Sequence, residues 1–379
     1  MTEAPIPEIR IPADLLPGDG RFGSGPSKVR PSAVEALASG GKSWMGTSHR
    51  QGAVRSVVGR VRQGLSSLLS LPDGYEIVLG NGGTTIFWDA AIFGLIERQS
   101  QHLSFGEFSS KFAAGVAAAP FLDEPEVISS AAGTVPTAVG RAGVDAYALT
   151  HNETSTGVMA PIVRPEGADP SALVLVDATS GAGGLRVDAS QFDCYYFAPQ
   201  KCFGSDGGLW LAACSPLAVE RIERLAQSDR YIPSGLNLRT ALENSRLDQT
   251  YNTPALATLF LLAEQVEWMN AGGGLEFAAS RSDRSAEILY GWAESSSFAT
   301  PFVEKPDERS HVVGTIDFDP SIDANVLAKV LRANGIVDTE SYRKLGRNQL
   351  RIAMFPAVEP DDVAQLTRSL DYVAERLAG

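Results

Sequence analysis

The chain has 379 residues, of which 44% are hydrophobic and 20% are charged, and its formal net charge is -13. This composition is typical of a folded globular chain of about two domains, and it excludes intrinsic disorder as the main state. The acidic balance disfavours general binding to nucleic-acid backbones or anionic membranes, because both carry negative charge.

Cysteine content and hydropathy indicate the cellular compartment. Cys194, Cys202 and Cys214 form no CxxC pair and are too few for a disulfide framework. No run approaches the ~20 apolar residues that cross a bilayer, and the N-terminus lacks the basic start and apolar core of a signal peptide. We therefore expect a cytoplasmic protein that binds neither nucleic acid nor membranes.

The N-terminal part of the chain predicts helices that alternate with short strands. Residues 1–20 carry four prolines and are expected to form an extended arm, which could pack on a partner subunit. Apolar residues at helical spacing predict an amphipathic helix over 54–69. A strand at Tyr75–Leu79 then leads into the glycine-rich segment 80–85 and a second helix. Four short apolar runs predict further strands: Tyr147–Thr150, Leu173–Val176, Tyr195–Ala198 and Leu209–Ala213. Fully apolar strands are typical of a parallel or mixed α/β sheet that is covered on both faces.

The C-terminal third of the chain follows a different pattern. A long helix over 255–270 begins beside Pro254 and ends at the glycines 272–274. After it we predict a helix near 276–294, a strand at Val312–Phe318, a helix at 323–333, a strand at Gln349–Met354 and a helix at 361–377. The expected organisation is an arm at 1–20, a large domain at 21–255 and a small α+β domain at 256–379, with 256–274 as a connecting helix.

Several motif matches carry no function in their context. Gly18, Gly20 and Gly23 match GxGxxG, but no strand precedes them, so a dinucleotide-binding turn is not expected. The four histidines are scattered without ligand spacing, and we therefore expect no built-in metal site. The GxSxG nucleophile motif is absent from the sequence.

Four features of the predicted large domain indicate one kind of site. Asp177 and Lys201 each follow a predicted strand, so both are expected at the ligand-binding edge of the sheet. The glycine-rich turn at 80–85 opens a helix whose first N–H groups can bind an anion. Phe108 offers an aromatic ring to a flat ligand. An acid, a lysine, a phosphate site and a ring are the groups that a pyridoxal phosphate site needs.

With these features in place, the sequence resembles the phosphoserine aminotransferases, which belong to class V of the fold-type I pyridoxal phosphate enzymes. The resemblance covers nearly the whole chain after residue 20. The segments that carry it are FGSGPSKVRP at 22–31, GTSHRQ at 46–51, GNGGTT at 80–85, HNETSTG at 151–157, VDATS at 176–180, APQKCFG at 198–204, YNTPAL at 251–256 and LRIAMF at 350–355.

The resemblance implies a fold-type I architecture with a mostly parallel seven-stranded sheet in the large domain, and a homodimer with shared active sites. It implies pyridoxal 5′-phosphate as cofactor, with Lys201 as the Schiff-base lysine and proton carrier and Asp177 as the partner of the pyridine nitrogen. The other implied cofactor contacts are Thr154 at the 3′-oxygen, Phe108 on the ring, Thr84, Thr85 and Gln200 at the phosphate, and Asn252 and Thr253 at the phosphate from the neighbouring subunit.

Substrate binding is expected at positively charged side chains. Arg351 lies between apolar neighbours in a predicted strand, and a semi-buried arginine needs an anionic partner, so we predict that it binds the substrate α-carboxylate. The resemblance implies that His49 and Arg50 bind the substrate phosphate. It also implies a second phosphate arginine, for which we prefer Arg343 to Arg347, although neither spacing matches cleanly.

The implied reaction is reversible transfer of an amino group from glutamate to 3-phosphohydroxypyruvate, giving O-phospho-L-serine and 2-oxoglutarate in serine biosynthesis. Use of 4-phosphohydroxythreonine in vitamin B6 biosynthesis stays open. The alternative is another class V aminotransferase, of the serine–glyoxylate or alanine–glyoxylate type. A cysteine desulfurase is disfavoured because all three cysteines fall in the predicted large domain. A non-catalytic pyridoxal phosphate sensor is disfavoured because no basic segment for an appended DNA-binding domain is present.

Overall fold

The computed structural model describes residues 7–378, in which one seven-stranded sheet and one three-stranded sheet organise the chain. The helices are α1 Pro31–Gly40, α2 Gly52–Leu68, α3 Thr84–Gly94, α4 Glu107–Ala117, α5 Pro216–Leu225, α6 Leu238–Arg246, α7 Leu256–Gly272, α8 Gly274–Ser295, α9 Ala324–Ala333 and α10 Pro360–Ala378. The strands are β1 Glu76–Asn81, β2 Ser100–Ser104, β3 Glu126–Ser129, β4 Ala146–Thr150, β5 Asn152–Glu153, β6 Val158–Met159, β7 Leu173–Asp177, β8 Cys194–Phe197, β9 Leu209–Cys214, β10 Ala299–Pro301, β11 Val313–Phe318 and β12 Gln349–Ala353.

The large sheet has the strand order β1-β9-β8-β7-β4-β2-β3. The four neighbouring pairs from β8 to β3 are parallel, whereas β9 runs antiparallel to both β8 and β1. The central strands are buried along their whole length because helices cover both faces, with α2 and α7 on one side and α3 to α6 on the other. The predicted α/β class and the mostly parallel seven-stranded sheet are confirmed.

The direction of the strands decides where polar side chains meet. Parallel strands end at the same edge of a sheet, and β7 ends at Asp177 while its parallel neighbour β8 ends four residues before Lys201. Since β1 is antiparallel to β9 and β9 is antiparallel to β8, β1 runs in the same direction as β8. The glycine-rich turn after β1 therefore reaches the same edge as the acid and the lysine.

The C-terminal part of the chain forms a second core around the antiparallel sheet β10-β11-β12. Helices α8, α9 and α10 pack on this sheet through apolar side chains of β11 and β12. Helix α7, which was predicted as the connecting helix, contributes its buried face to the core of the large sheet and packs against α2. The division of the chain at residues 255 and 256 stays a prediction.

The described part of the N-terminal arm, residues 7–20, contains no helix or strand. Ile11 is buried in the core of the small sheet, and its backbone N–H donates to Asn334 Oδ1 at 2.9 Å. The apolar side chains of the described arm thus find an apolar surface on their own chain, and the expectation that the arm also packs on a partner subunit stays a prediction. Residues 1–6 of the predicted arm lie outside the described residues.

Within residues 7–378, no helix combines the length and the apolar character that a bilayer span requires.

Candidate active site

A cavity of about 200 Å³ opens at the edge of the large sheet where β1, β4, β7 and β8 end. Its lining residues come from segments that are far apart in the sequence: Gly83, Thr84, Thr85, Trp88, Phe108, Thr150, Asn152, Thr154, Asp177, Thr179, Gln200 and Lys201. Seven of the thirteen predicted site residues are in this set, so the fold brings the predicted acid, lysine, aromatic ring and phosphate-binding turn together.

Lys201 follows β8 and extends toward the loop that contains Gly25. Its Nζ donates a hydrogen bond to the carbonyl oxygen of Ser24. Gly25 has φ +136°, and a Cβ at this position would lie 2.1 Å from Lys201 Nζ, so only glycine leaves space for the amine. Burial, and then the positive charge of Arg351, lower the pKa of Lys201 to about 8. An amine with this pKa is partly neutral near physiological pH and can act as a nucleophile or base.

Asp177 ends β7 and is buried with both carboxylate oxygens held in place. Oδ1 accepts hydrogen bonds from the backbone N–H and the hydroxyl of Thr179, at 2.9 and 2.6 Å. Oδ2 accepts a hydrogen bond from Trp88 Nε1 at 3.0 Å. Burial raises the pKa of Asp177, and the Thr179 and Trp88 donors oppose this rise. A carboxylate fixed in this way has few remaining orientations and can receive a proton-bearing ring nitrogen from the cavity.

The segment from Gly80 to Thr85 forms an anion site at the start of α3. Gly82 has φ +108°, and Gly83 is the N-cap, which offers no side chain to the first N–H groups of the helix. These N–H groups have no partner inside the helix and point toward the cavity end of α3. The hydroxyl of Thr84 is hydrogen-bonded to Thr179 Oγ1 at 2.9 Å, which links the anion site to the Asp177 site.

Phe108 lies in the first turn of α4, and its ring lines the cavity. Thr154 lines the cavity from the loop after β5, where its hydroxyl donates to Ser180 Oγ at 2.7 Å. Between these two residues lies the carboxylate of Glu153, which accepts hydrogen bonds from the backbone of Phe108 and Ser109. The sequence analysis named Phe108 and Thr154 but assigned no role to Glu153.

Arg351, in β12, is the positive charge nearest to the predicted catalytic lysine. One of its terminal nitrogens donates to the carbonyl oxygen of Thr154 at 3.2 Å, and its Nε is buried without a partner. Within residues 7–378 no carboxylate forms an ion pair with Arg351. Burial lowers the pKa of its guanidinium, so an anionic ligand would restore the lost solvation. An ion pair within the protein would be the alternative explanation for a buried arginine at this position. The described residues form no such ion pair with Arg351.

Four predicted site residues lie outside the cavity and form a separate cluster, which we call the rim cluster: His49, Arg50, Asn252 and Thr253. His49 Nδ1 lies 3.1 Å from Thr253 Oγ1, and Arg50 donates to Gln249 Oε1 at 3.1 Å. The Nε2 atom of His49 is buried without a partner. Asn81, which ends β1, holds the cluster through hydrogen bonds with the backbone of Asn252 and Thr253. Hydrogen bonds and chain connectivity therefore hold the rim cluster together as one unit.

The predicted second phosphate arginine is not brought to the cavity. Arg343 is exposed on the surface of the small domain, and it has no hydrogen-bond or ion-pair partner among residues 7–378. Arg347, the alternative, forms an ion pair with Asp317 and covers the ring of Phe302. Neither side chain supports a role at the substrate phosphate in this geometry, and the assignment stays a prediction.

The residues of the cavity fit a flat, phosphorylated pyridine aldehyde. Asn152 and Gln200 line the cavity, and each carries a buried side-chain oxygen without a hydrogen-bond partner. The start of α3 provides N–H donors for a phosphate, and Phe108 provides a ring face. Lys201 provides an amine of lowered pKa for an aldehyde carbon. The arrangement is thus suited to pyridoxal phosphate chemistry on an amino acid.

The sequence analysis also missed the two residues whose side chains donate hydrogen bonds to the Asp177 carboxylate. Trp88 lies on the same helix as Thr84, one turn further along, and so faces the same side. Thr179 lies two residues after Asp177 and was quoted only as part of a motif. An i,i+4 spacing from the anion site would have been the available signal for Trp88.

Known proteins match this chain in sequence and in fold. The family model for class-V aminotransferases matches residues 134–340. A phosphoserine aminotransferase of Nocardioides sp. is 62% identical to this chain over 378 residues, and the aligned region covers 100% of both chains. A phosphoserine aminotransferase of Corynebacterium glutamicum is 59% identical, with 99% of this chain and 98% of that protein covered. A solved phosphoserine aminotransferase structure from Cytophaga hutchinsonii superimposes with a TM-score of 0.86, at 25% identity, over 93% of this chain and 99% of that one.

Proposed function

Because the chain belongs to the phosphoserine aminotransferases of the class-V aminotransferase family, we propose that its cavity exchanges the amino group of O-phospho-L-serine with 2-oxoglutarate, reversibly. The structural observation that supports this proposal is the meeting of Lys201 and Asp177 in one cavity beside an anion site. The physiological direction is the formation of O-phospho-L-serine from 3-phosphohydroxypyruvate and glutamate, in serine biosynthesis.

The cofactor is pyridoxal 5′-phosphate, which, when bound, supplies an electron-poor ring that stabilises negative charge developing at the substrate Cα. Its aldehyde carbon would be attached by Lys201 and its ring nitrogen held by Asp177. The first N–H groups of α3, with Thr84, Thr85 and Gln200, would bind its phosphate. Phe108 would lie on its ring, and Thr154 would contact the 3′-oxygen.

Lys201 moves the proton in this scheme. Its amine, with a pKa of about 8, can take a proton from the substrate Cα and return one on the other side of the reaction. The carbonyl oxygen of Ser24 orients the amine, and the close approach of Gly25 keeps the surrounding space narrow. Trp88 and Thr179 donate hydrogen bonds to the Asp177 carboxylate, which favours its ionised form, and this form would hold the protonated ring nitrogen.

Two sets of side chains would select the substrate, one at each of its anionic groups. Arg351, which has no carboxylate partner among the described residues, would bind the α-carboxylate through two parallel N–H bonds. Arg50 and His49 would bind the phosphate of the substrate, which separates this substrate from serine and alanine. The alternative function, a serine–glyoxylate or alanine–glyoxylate aminotransferase, needs no phosphate site.

A coupled assay tests the function. The purified protein with pyridoxal phosphate should form glutamate from O-phospho-L-serine and 2-oxoglutarate, and its visible absorbance should change on addition of O-phospho-L-serine alone. L-serine or L-alanine with glyoxylate serves as the comparison. Turnover of these unphosphorylated pairs at equal or higher kcat/KM would reject the phosphoserine assignment while leaving the aminotransferase assignment intact.

We further propose that the active form is a homodimer in which the rim cluster of one subunit completes the cavity of the other. The rim cluster lies outside its own cavity, yet the resemblance assigns all four residues to cofactor or substrate phosphates. Exposed apolar side chains near the cluster, Met45, Leu247 and Tyr251, are suited to burial in a subunit interface. Since His49 contacts Thr253, the cluster would enter the neighbouring cavity as one unit.

Subunit complementation is expected to show this sharing. Lys201→Ala and Arg50→Ala homodimers should each be nearly inactive, since one lacks the amine and the other lacks a phosphate contact. Mixed and allowed to exchange subunits, they should recover roughly a quarter of wild-type activity, because half the dimers then hold one intact site of two. The measurement is glutamate formation against mixing ratio. If no activity returns although mass spectrometry shows mixed dimers, each cavity is built by a single chain.

The lowered pKa of Lys201 predicts how cofactor attachment depends on pH. Attachment needs the neutral amine, so its rate in the cofactor-free protein should rise about tenfold per pH unit below pH 8 and level off above it. Stopped-flow absorbance measures this rate. The control is Nα-acetyl-lysine, whose rate should continue to rise toward its ordinary pKa of about 10.4. A protein profile that coincides with the control profile would contradict the lowered pKa.

We propose a cytoplasmic location because the three cysteines form no disulfide bond. Cys194, Cys202 and Cys214 are all free and buried. Unpaired thiols are usual in a reducing compartment. Detection of a tagged chain in fractionated cells tests this location.

A further inference from the structure

The side chain of Glu153 is the most deeply buried carboxylate beside the candidate active site, with 0% of its surface exposed. Its two oxygens accept hydrogen bonds from two elements. From α4 the donors are the backbone N–H groups of Phe108 and Ser109, at 3.1 and 2.9 Å, and the Ser109 hydroxyl at 2.9 Å. From the loop after β5 they are the N–H and hydroxyl of Ser155, at 3.2 and 2.7 Å.

The described residues give this carboxylate no ion-pair partner, and the amine of Lys201 interacts with its charge only from a longer distance. Within residues 7–378, no lysine, arginine or histidine lies within ion-pair distance of Glu153. A buried charge without a counter-ion is costly unless hydrogen bonds replace its solvation. Here five donors and the positive end of α4, a helix of 11 residues, perform that role. The arrangement is therefore specific for a carboxylate, and an amide in its place would direct an NH₂ group at N–H donors.

The backbone around Glu153 is shaped to receive its side chain. Gly106 precedes α4, and a Cβ at that position would lie 2.3 Å from Glu153 Cγ. The backbone N–H of Glu107 donates to Ser155 Oγ, which itself donates to Glu153 at 2.7 Å. The first turn of α4 and the loop after β5 are thus joined mainly through one carboxylate.

The two elements joined by Glu153 each carry a residue that lines the cavity. Phe108 lies in the first turn of α4, and Thr154 follows Glu153 directly in the sequence. From these contacts we infer that Glu153 is a positioning residue, whose carboxylate fixes the Phe108 ring against the cofactor ring. This inference rests on the proposed function, since the cofactor is the group that Phe108 would contact. Glu153 acts through Phe108 and takes no part in proton transfer.

A double-mutant cycle on cofactor affinity tests the inference. The variants are Glu153→Gln, Phe108→Ala and the two combined, and the measured quantity is the Kd of pyridoxal phosphate for the cofactor-free protein. We expect Glu153→Gln to raise this Kd about tenfold, because buried N–H donors lose their acceptor. The combined variant should bind no more weakly than Phe108→Ala alone, because both changes remove the same contact.

The control is Ser110→Ala, in the same turn of α4, whose hydroxyl donates only to the Glu107 carbonyl and does not touch Glu153. Its Kd should equal that of the wild type. Thermal unfolding of each cofactor-free variant separates loss of fold from loss of positioning. If Glu153→Gln does not fold, Glu153→Asp and Ser109→Ala replace it, and each is expected to raise the Kd less and to show the same non-additivity with Phe108→Ala.

Three outcomes separate the inference from the function on which it rests. A wild-type protein that binds no pyridoxal phosphate overturns the proposed function and this inference together. A wild-type protein that binds it, with Glu153→Gln within twofold of wild type, overturns this inference alone. Independent, additive effects of Glu153→Gln and Phe108→Ala on Kd also overturn it, because Glu153 would then act without Phe108.

Discussion

Replacement of Lys201 by alanine is expected to lower kcat by about 10³-fold or more while leaving the fold intact. Among the described residues that line the cavity, Lys201 carries the one amine, which under the proposed function would attach the cofactor and move the Cα proton. Among the described residues its amine makes a single hydrogen bond, to the Ser24 carbonyl, so its removal breaks no ion pair. The variant should lack the visible absorbance of covalently attached pyridoxal phosphate and should form almost no glutamate from O-phospho-L-serine.

Chemical rescue distinguishes proton transfer from a general loss of structure. Added methylamine can enter the space left by the Lys201 side chain and accept the proton, so part of the rate should return with increasing amine concentration. The matched control is Lys305→Ala, an exposed lysine whose amine pairs with Glu308 at 2.8 Å, and this variant should keep the wild-type rate. An unchanged visible absorbance in Lys201→Ala would contradict the assignment of the attachment site.

The strands of the large sheet differ in how well the sequence reveals them. Strands β4, β7, β8 and β9 are continuous apolar runs, and each was predicted within one or two residues of its observed bounds. Strand β2 was missed because its sequence, SQHLS, is mostly polar although the strand is buried. Ser100 and His102 satisfy each other at 3.0 Å, and Gln101 bonds to the Val139 backbone. A run of apolar residues therefore predicts a buried strand. A buried strand of polar residues is not predicted in this way, because its side chains depend on hydrogen-bond partners from elsewhere in the chain.

The same distinction applies to the candidate active site. Asp177, Lys201 and the glycine-rich turn could be predicted because each sits at the end of a recognisable strand. Trp88 contacts Asp177 from 89 residues away, and Glu153 binds the start of α4 from 45 residues away, so both contacts exist only in the folded chain. A side chain that holds another residue is marked locally only where a predicted site residue lies on the same helix face, as Thr84 does for Trp88, and Glu153 has no such mark.

The rim cluster shows a third limit of sequence-based prediction. Its four residues were predicted as phosphate contacts by resemblance, which assigned only Asn252 and Thr253 to the neighbouring subunit, and the structure places all four outside the cavity of their own chain. A single sequence does not state which subunit supplies a residue. Arg343 illustrates a different case. It was preferred because the resemblance implies a phosphate arginine a few residues before Arg351, and this spacing gave no indication that its side chain would face solvent.

Replacement of Arg351 by alanine is expected to raise the KM for O-phospho-L-serine by at least about 100-fold, with a smaller change in kcat. Two charge-assisted hydrogen bonds to the α-carboxylate would be lost, and each is worth roughly 1.5–3 kcal/mol. Arg351→Lys should recover only part of the affinity, because an ammonium keeps the charge but not the planar pair of donors. Steady-state kinetics with varied O-phospho-L-serine measure both effects.

O-phosphoethanolamine, which lacks the α-carboxylate, isolates the contact made by Arg351. The wild type should bind it far more weakly than O-phospho-L-serine, whereas Arg351→Ala should bind the two compounds with similar affinity. Arg332→Ala, which removes an exposed arginine paired with Asp338 and Glu340, should keep the wild-type preference. If Arg351→Ala weakens both compounds equally, the guanidinium binds another part of the substrate. Because Arg351 also lowers the pKa of Lys201, its removal should move the pH profile of cofactor attachment upward, as a second and independent sign that the two charges face one cavity.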